Sequence, residues 1–387
     1  MKRLGTALLL AAVLGGVASA APAPRPDLVL GIEWQAGGGK LAWRSATTLK
    51  ATGPQINVGG ASVGLEALSP NGAFAALARS DGQLRIVRVR PLRSVGTVGL
   101  GGKHVAAAVW TAPERLVAVT GGDTPAVVVV DTRTRRVVSR RHLHGALYGA
   151  VAAGTRVLAL LAPERAIGQA RLAVVEGDGS MRTLALPGVT AGFAPPPTAE
   201  GTGRMASPAL AVDPAGTRAA VVGLDVLLVL DLATLEIRAS TTRTLARVSK
   251  RIEGWSRGAV WLRGDRVATS GSTYSHEGDR PVSTASGVQL RVLGSPETRV
   301  LDETALSATR VGDTLLVYGG TALRGYGLDG TLRFELLAGR DTGYVQSAGR
   351  FAYVGTENST RFVVVDVRAG RVVGNTRTSK PTVLLGL

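Results

Sequence analysis

Polar and apolar positions along this chain repeat one pattern, in which a short Val-rich run is followed by a polar turn and a second, more polar run. In its strongest form the apolar run is Val127–Val130, the turn opens at Asp131, and the second run begins at Arg136. Because β-branched side chains fit the packed, pleated surface of a sheet, the pattern predicts a β-hairpin. It returns after Leu227 and Phe362, and weaker copies bring the number of hairpins to eight.

The spacing of these hairpins predicts a ring of four-stranded blades. Bends at residues 45, 88, 131 and 176 recur about every 44 residues, which matches the roughly 40–45 residues of a propeller blade. A second hairpin precedes the strong ones, with bends at Ser69–Gly72 and Asp213–Gly216. We therefore predict an all-β fold, a closed β-propeller of four-stranded antiparallel blades. Eight blades are the first choice and seven the alternative.

The two ends of the chain predict how the ring closes. The first repeat, Leu28–Val58, contains three strand-like segments rather than four, and the last hairpin is followed by an apolar tail at Thr382–Leu385. We expect this C-terminal strand to pair into the first blade and supply its innermost strand. Closure of that kind removes the exposed strand edges that promote aggregation.

The repeat resembles a known family of bacterial propellers. A Ser-Pro-x-Gly or Asp-Pro-x-Gly bend followed by V-V-x-D and a second Val-Val pair is similar to the YVTN-type repeats of secreted β-propellers. These are related in form to WD-repeat propellers and to the quinoprotein amine dehydrogenase-like superfamily, although the WD dipeptide is absent here. The resemblance implies a closed propeller. Family members range from scaffolds to periplasmic oxidoreductase subunits and lactonases, so it leaves the activity open.

The N-terminus predicts export. Lys2 and Arg3 precede the apolar segment Leu4–Val17, and Ala18–Ala20 forms an A-x-A cleavage site. The apolar segment is too short to span a bilayer comfortably. We predict a signal peptide at 1–20, a Pro/Ala-rich spacer at 21–27 and a single propeller domain at 28–387. The mature protein is expected in the periplasm or outside the cell, without a transmembrane segment.

Composition limits the chemistry. The absence of cysteine excludes disulfides, thiolate metal sites and a cysteine nucleophile. The formal net charge is +17, carried mainly by scattered Arg residues, so nucleic acid is an improbable partner and either a solvated surface or an anionic envelope polymer explains the charge. His142 and His144 lie two apart without a visible third ligand, so we expect no metal and no cofactor.

Three long segments mark one face of the predicted propeller. Residues 187–208, 241–258 and 270–287 all fall on the face that carries the connections between blades, around blades four to six, whereas the opposite face receives only tight turns. Long irregular loops in a compact domain are commonly functional or disordered. This face is therefore the candidate binding surface.

Two sets of residues on that face are candidates for ligand contact. The third segment carries a polar set suited to a sugar or peptide, with a solvated loop as the alternative: Tyr274, His276, Glu277, Asp279 and Arg280. The second carries basic residues beside a Trp, suited to an anionic polymer because Arg pairs with oxyanions bidentately, with a packed amphipathic helix as the alternative: Arg247, Lys250, Arg251 and Trp255.

The sequence favours binding over catalysis. No G-x-S-x-G, H-E-x-x-H or P-loop motif is present, so no catalytic residue is assigned. We expect an exported binding or scaffold module for a protein or envelope-polymer partner, acting through the long-loop face. The alternative is a YVTN-type enzyme, either a lactonase-like hydrolase or a periplasmic oxidoreductase subunit, which would need His, Glu and Arg side chains to converge at the channel mouth. The oligomeric state is left open.

Overall fold

The computed structural model describes residues 27–35, 38–59, 65–79, 81–195, 203–241, 253–277, 280–295, 297–340, 342–355 and 360–385. The predicted signal peptide and nearly all of the spacer lie outside these residues. The described residues form the following strands: β1 (Leu28–Gln35), β2 (Gly38–Ser45), β3 (Ala51–Gly59), β4 (Leu65–Leu68), β5 (Phe74–Ala78), β6 (Gln83–Arg88), β7 (Arg93–Gly99), β8 (His104–Ala112), β9 (Arg115–Gly121), β10 (Ala126–Asp131), β11 (Arg136–His142), β12 (Ala146–Ala153), β13 (Arg156–Ala162), β14 (Ile167–Val175), β15 (Met181–Ala194), β16 (Arg204–Ser207), β17 (Ala209–Val212), β18 (Arg218–Val222), β19 (Val226–Asp231), β20 (Ile237–Thr241), β21 (Gly254–Trp261), β22 (Arg266–Glu277), β23 (Arg280–Ala285), β24 (Val288–Val292), β25 (Thr298–Asp302), β26 (Ser307–Val311), β27 (Thr314–Tyr318), β28 (Leu323–Gly327), β29 (Leu332–Leu336), β30 (Tyr344–Ala348), β31 (Phe351–Gly355), β32 (Arg361–Asp366), β33 (Arg371–Arg377) and β34 (Thr382–Leu385).

The strands form a β-propeller, but its division into blades differs from the prediction. Within the described residues six sheets have four strands each, namely β34-β1-β2-β3, β4–β7, β8–β11, β17–β20, β26–β29 and β30–β33. The strands β12–β16 and β21–β25 belong to one ten-stranded sheet, which β15, β16 and β21 make continuous. The prediction of eight separate four-stranded blades, or of seven, is therefore wrong: six blades are four-stranded, and pairing between repeats fuses the remaining strands.

Burial explains why a central strand such as β10 is almost continuously apolar. All of β10 except its last residue is buried, because a central strand is covered on both faces by neighbouring sheets. The outer strand β11 is mostly exposed and carries Arg and His. The predicted hairpin at this position is confirmed, with Val127 opposite Arg141 and Asp131 opposite Arg136.

The ring closes through the C-terminal strand, as expected from the three-stranded first repeat. β34 pairs antiparallel with β1, placing Leu385 opposite Leu30 and Thr382 opposite Glu33. A buried cluster then joins the last blade to the first, and it includes Tyr353, whose hydroxyl donates to the carbonyl of Ala46 at 2.7 Å. The first and last blades therefore share one continuous core.

The blade β17–β20 lies between the two halves of the ten-stranded sheet. On one side Leu228 and Leu230 pack in a buried cluster with Leu172 and Val174 of β14. On the other side Leu227 packs with Trp261 and Val267 of β21 and β22. The ten-stranded sheet thus covers both faces of this blade and connects around it.

Aspartates at the hairpin bends hold the turns in place. Asp131 Oδ1 accepts from the backbone N–H of Thr134 at 2.7 Å, and Asp231 Oδ1 accepts from that of Ala233 at 2.8 Å. Asp366 makes the same kind of bond to the N–H of Ala369 at 3.1 Å. An Asp in this position stabilises the turn by replacing a backbone acceptor.

A fourth bend aspartate, Asp302, is buried at a junction between sheets. Its Oδ1 accepts from the backbone N–H groups of Thr304 and Ala305 at 2.8 and 3.0 Å, and its Oδ2 pairs with Arg324. Burial opposes ionisation, but the hydrogen bonds and the Arg324 charge outweigh it, so the pKa of Asp302 is held below its ordinary value.

We expect Asp302→Asn to lower the free energy of unfolding by about 1–3 kcal/mol at pH 7. Since the folded-state pKa is depressed, the carboxylate stabilises the fold above about pH 4, and the effect disappears as pH falls through the lowered folded-state pKa. Urea unfolding at pH 7 and pH 3 should therefore show a smaller difference at pH 3. Asp313→Asn, which alters an exposed ion pair to Arg333 at 3.3 Å, is the control. Differences of equal size at both pH values would contradict the prediction.

Candidate functional site

Two of the segments predicted as irregular loops are largely strands. In the first segment, residues 187–194 belong to β15 and residues 204–207 form β16. In the third segment, residues 270–277 of β22 and all of β23 form a long hairpin. We call the paired part of these segments the strand extension: residues 186–194 of β15, β16, residues 254–257 of β21, residues 270–277 of β22, and β23. It is the part of the ten-stranded sheet that joins its two halves, because β16 pairs with β15 on one side and with β21 on the other.

Two glycines allow the chain to pair in this way. Gly192 in β15 has a φ of +138° and Gly271 in β22 has a φ of +143°, a backbone conformation that side-chain-bearing residues rarely adopt. A Cβ atom at Gly192 would lie 2.0 Å from the carbonyl oxygen of Ala166, and one at Gly271 would lie 2.1 Å from that of Ser256. At both positions the neighbouring backbone lies so close that a residue with a Cβ atom would clash with it. Glycine is therefore required at 192 and 271 for this pairing.

The register divides the extension into an outer and an inner row of side chains. Directly paired residues lie on the same side of a sheet. The outer row is Phe193, Met205, Gly254, Tyr274 and Ser283. The inner row is Gly192, Ala206, Trp255, Thr273 and Thr284.

The two rows differ in exposure. Phe193 is 47% exposed and Tyr274 37% exposed, whereas Ala206, Trp255 and Thr273 are buried. From Gly192 to Thr273 the inner row therefore faces the body of the protein, and its last member, Thr284, is exposed. The outer row presents two aromatic rings and a half-buried Met to solvent. The Tyr274 hydroxyl lies 3.3 Å from Ser256 Oγ, which is itself 3.3 Å from Ser272 Oγ, and these contacts hold the Tyr274 ring across the strands.

The residues predicted from the sequence are distributed unevenly over this site. Tyr274 is on the outer row and Trp255 on the inner row. The backbone places His276 opposite Pro281 and Glu277 opposite Arg280, at the far end of the β22–β23 hairpin. The remaining predicted residues lie outside the described residues: Arg247, Lys250, Arg251 and Asp279.

A polar recess lies beneath the extension, between the β18–β19 turn and the sheet β21-β22-β24. Its enclosed core is about 20 Å³, and it measures about 280 Å³ when its mouth is included. Buried polar side chains concentrate on the sheet around it: Thr269, Ser270, Ser272, Thr273, Ser286, Gln289 and Arg291. The lower part of the same interface is apolar, with Trp261 and Val267 against Leu227.

Two arginines line this recess. Arg257 donates to Ser286 Oγ and to the carbonyl of Leu224 at 2.9 Å. Arg291, which is buried, donates to Gln289 Oε1 at 2.7 Å and to Thr298 Oγ1 at 2.8 Å. Neutral acceptors thus position the guanidinium group of Arg257, and the positive charge of Arg291 lies near it.

The surroundings of the recess disfavour the protonated, positively charged forms of both arginines. Burial lowers the pKa of Arg257 below its ordinary value, and the carboxylate of Asp225 offsets part of the shift. Burial and, after it, the charge of Arg257 lower the pKa of Arg291. A like charge and the loss of water both disfavour the protonated form, so an anion in the recess would relieve an existing electrostatic cost.

Gln289, Arg291 and Ser286 were not among the residues predicted from the sequence. The signal was present in β24, which alternates Gln289 and Arg291 with Val and Leu although most of the strand is buried, whereas Val127–Val130 is continuously apolar. In the described part of the chain no three His, Asp or Glu side chains are grouped as a metal site would require. Nor does that part contain a helix long and apolar enough to cross a membrane.

Comparisons with known proteins show the fold. No protein-family model matches the chain, and no curated protein matches its sequence. Among solved structures, the dihydro-heme d1 dehydrogenase NirN in complex with DHE aligns with a TM-score of 0.63 and 13% identity, over 94% of this chain and 76% of that one. Apo AztD from Citrobacter koseri aligns with a TM-score of 0.56 and 11% identity, over 92% and 97%. Hydrazine synthase of Kuenenia stuttgartiensis gives 0.50 and 13%, over 84% and 100%.

These structural similarities support the β-propeller fold. At sequence identities of 11–13% they do not assign a subfamily or a function. The YVTN-type subfamily is therefore not confirmed and is taken up below as a proposal.

Proposed function

We propose that this chain is an exported β-propeller, distantly related to the YVTN-type proteins, that binds a protein partner through the outer row of the strand extension. Export rests on the predicted signal peptide at 1–20, and the proposed location is the periplasm or the outside of the cell. The observation that carries the binding proposal is the exposed row formed by Phe193, Met205 and Tyr274. Contiguous apolar side chains at a protein surface commonly mark interaction sites.

The chemistry of the row supports a protein partner in particular. Aromatic residues and Met are enriched at the centres of protein interfaces, where they bury large areas at small entropic cost. Arg204, which precedes Met205, is exposed. Together with the net charge of +17, this favours a partner whose apolar contact is framed by Asp and Glu.

Photo-crosslinking followed by binary affinity measurements tests this proposal. A photoreactive amino acid at position 274 of the exported full-length chain should capture one partner, whereas the same group at position 332, on the outer strand β29, should not. With the purified partner, the double variant Phe193→Ser, Tyr274→Ser should weaken binding by about thirtyfold or more, as expected for central interface residues.

The matched control is Val300→Ser, Leu332→Ser, which removes two side chains that are 40% and 50% exposed outside the extension. Equal loss in both double variants, or none in either, would rule out the outer row as the interface.

Salt dependence separates the protein partner from the envelope-polymer alternative, which the high positive charge favours. Binding through apolar side chains changes little with ionic strength, whereas neutralisation of a polyanion by Arg weakens steeply as salt rises. A steep loss of affinity between 50 and 500 mM salt, unchanged by the Phe193 and Tyr274 substitutions, would favour the polymer.

A further inference from the structure

The recess below the strand extension brings several buried polar side chains together at one interface between sheets. By contrast, the interface around Leu316 and Val365 is formed by apolar side chains. At the recess the upper half of the interface carries hydroxyl, amide and guanidinium groups instead. Polar groups buried without a need in the fold cost stability, so their concentration at one recess that opens to solvent indicates a ligand.

Arg257 has donors to spare. A guanidinium carries five N–H groups in a planar fork. Two of its nitrogens each donate one bond, to Ser286 Oγ and to the Leu224 carbonyl. Among the described residues no carboxylate forms an ion pair with Arg257, and its other N–H groups meet no acceptor there. The side chain is thus held in place by two bonds and still presents donors to the recess.

We propose that this recess binds a carboxylate group, with Arg257 as the main donor and the buried hydroxyl of Thr269 at its wall. The planar fork of an arginine matches the two oxygens of a carboxylate. One negative charge also compensates the positive charge of Arg257, which Asp225 offsets only in part.

Size limits the ligand to the tip of a small acid or an acidic side chain. The enclosed core of about 20 Å³ holds about one water-sized group, so one carboxylate oxygen enters the core and the rest of the ligand occupies the mouth. A phosphate or sulfate directs oxygens in four tetrahedral directions and fits this narrow core poorly. The inference is independent of the partner surface proposed above, because Arg257 lies on the inner side of the extension.

Titration of the full mature chain with carbon-13-labelled acetate, followed by NMR at constant ionic strength, tests the site directly. The wild-type protein should bind acetate, should not bind the neutral isostere acetamide, and should bind phosphate at least about tenfold more weakly than acetate. Arg257→Gln should weaken acetate binding by about tenfold or more, since charge-assisted hydrogen bonds are the strong ones.

Arg310→Gln is the matched control. Arg310 is also half-buried, and its Nη1 donates to a carbonyl of the neighbouring sheet, that of Leu262, at 2.6 Å. This variant should bind acetate within about twofold of wild type. If Arg257→Gln fails to fold by circular dichroism, Arg257→Lys keeps the charge without the fork and should still lose affinity.

Three results would overturn the inference: no acetate binding by the wild type at about 50 mM, equal affinity in the wild type and Arg257→Gln, or phosphate binding tighter than acetate. A blocked Gly-Glu-Gly peptide distinguishes the source of the carboxylate. Tighter binding of this peptide than of acetate assigns the site to an acidic side chain of a protein, and weaker binding assigns it to a free small acid. Loss of acetate binding with partner capture intact would separate this site from the outer row.

Discussion

A chain that ends at Pro381 should fail to fold cooperatively at 37 °C, because it lacks β34. This strand supplies the inner edge of the first blade, where Leu385 pairs with Leu30 and Thr382 with Glu33. Its two leucines are buried. Without it β1 has an unpaired edge facing the propeller axis, and the core shared by the first and last blades is opened.

The expected size of this effect follows from the contacts that are lost. Removal of a buried Leu side chain costs about 2–5 kcal/mol, and two are removed here. Gln346 of β30 also loses both of its partners, since its Nε2 donates to the carbonyl of Thr382 at 3.2 Å and its Oε1 accepts from the N–H of Leu384 at 2.7 Å. The sum is comparable to the roughly 5–15 kcal/mol that stabilises a typical domain.

Urea unfolding followed by circular dichroism measures the loss, with a chain that ends at Leu385 as the control because it is shortened but keeps β34 whole. The control should unfold like the full-length protein. A chain ending at Pro381 with the same urea midpoint as this control would show that closure of the ring contributes little to stability.

Closure of the ring by the C-terminal strand can be predicted from the sequence. The first repeat has one strand too few, and an apolar tail of suitable length follows the last hairpin, so the missing strand could be identified without a structure. The turn aspartates were equally predictable, because an Asp at the bend of a Val-rich hairpin has a local role that depends only on its immediate neighbours. Features set by local spacing were thus accessible from the sequence.

The count of blades was not accessible, because it depends on pairing between distant repeats. Pro187, Gly188 and Gly192 are typical of a loop, and their segment was predicted as one. In the structure they belong to β15, and Gly192 allows a conformation that continues the strand. Whether two repeats stay separate or fuse is decided by the parallel pairing of β16 with β21, which leaves no periodic pattern in the sequence.

Only part of the candidate site could be predicted from the sequence. Tyr274 was identified because aromatic and charged residues cluster in its segment. Arg291 was not predicted because it lies in a central strand, outside the three long segments that were expected to carry the site. In β24, Gln289 and Arg291 alternate with apolar residues, and only the structure shows that both side chains are buried beside a recess.

Gly271→Ala should destabilise the protein and abolish acetate binding together, because Gly271 lies directly opposite Arg257 in the β21–β22 pairing. The added Cβ would lie 2.1 Å from the carbonyl oxygen of Ser256 and 3.0 Å from the Cα of Arg257. One of the two strands must then move, and the movement occurs where Arg257 is held. Backbone strain at φ +143° adds to the overpacking, so we expect a loss of roughly 2–5 kcal/mol.

Gly264→Ala separates the effect of backbone strain from the effect of the close contact with the neighbouring strand. Gly264 lies in the turn between the same two strands, has a φ of +58°, and has nothing within 4 Å of the position of an added Cβ. This variant should lose only about 1–2 kcal/mol, from the left-handed backbone alone, and should bind acetate like the wild type. Urea unfolding and the acetate titration measure both quantities for each variant. If Gly271→Ala matched Gly264→Ala in stability and kept its affinity for acetate, the close approach of β21 and β22 would not be what positions Arg257.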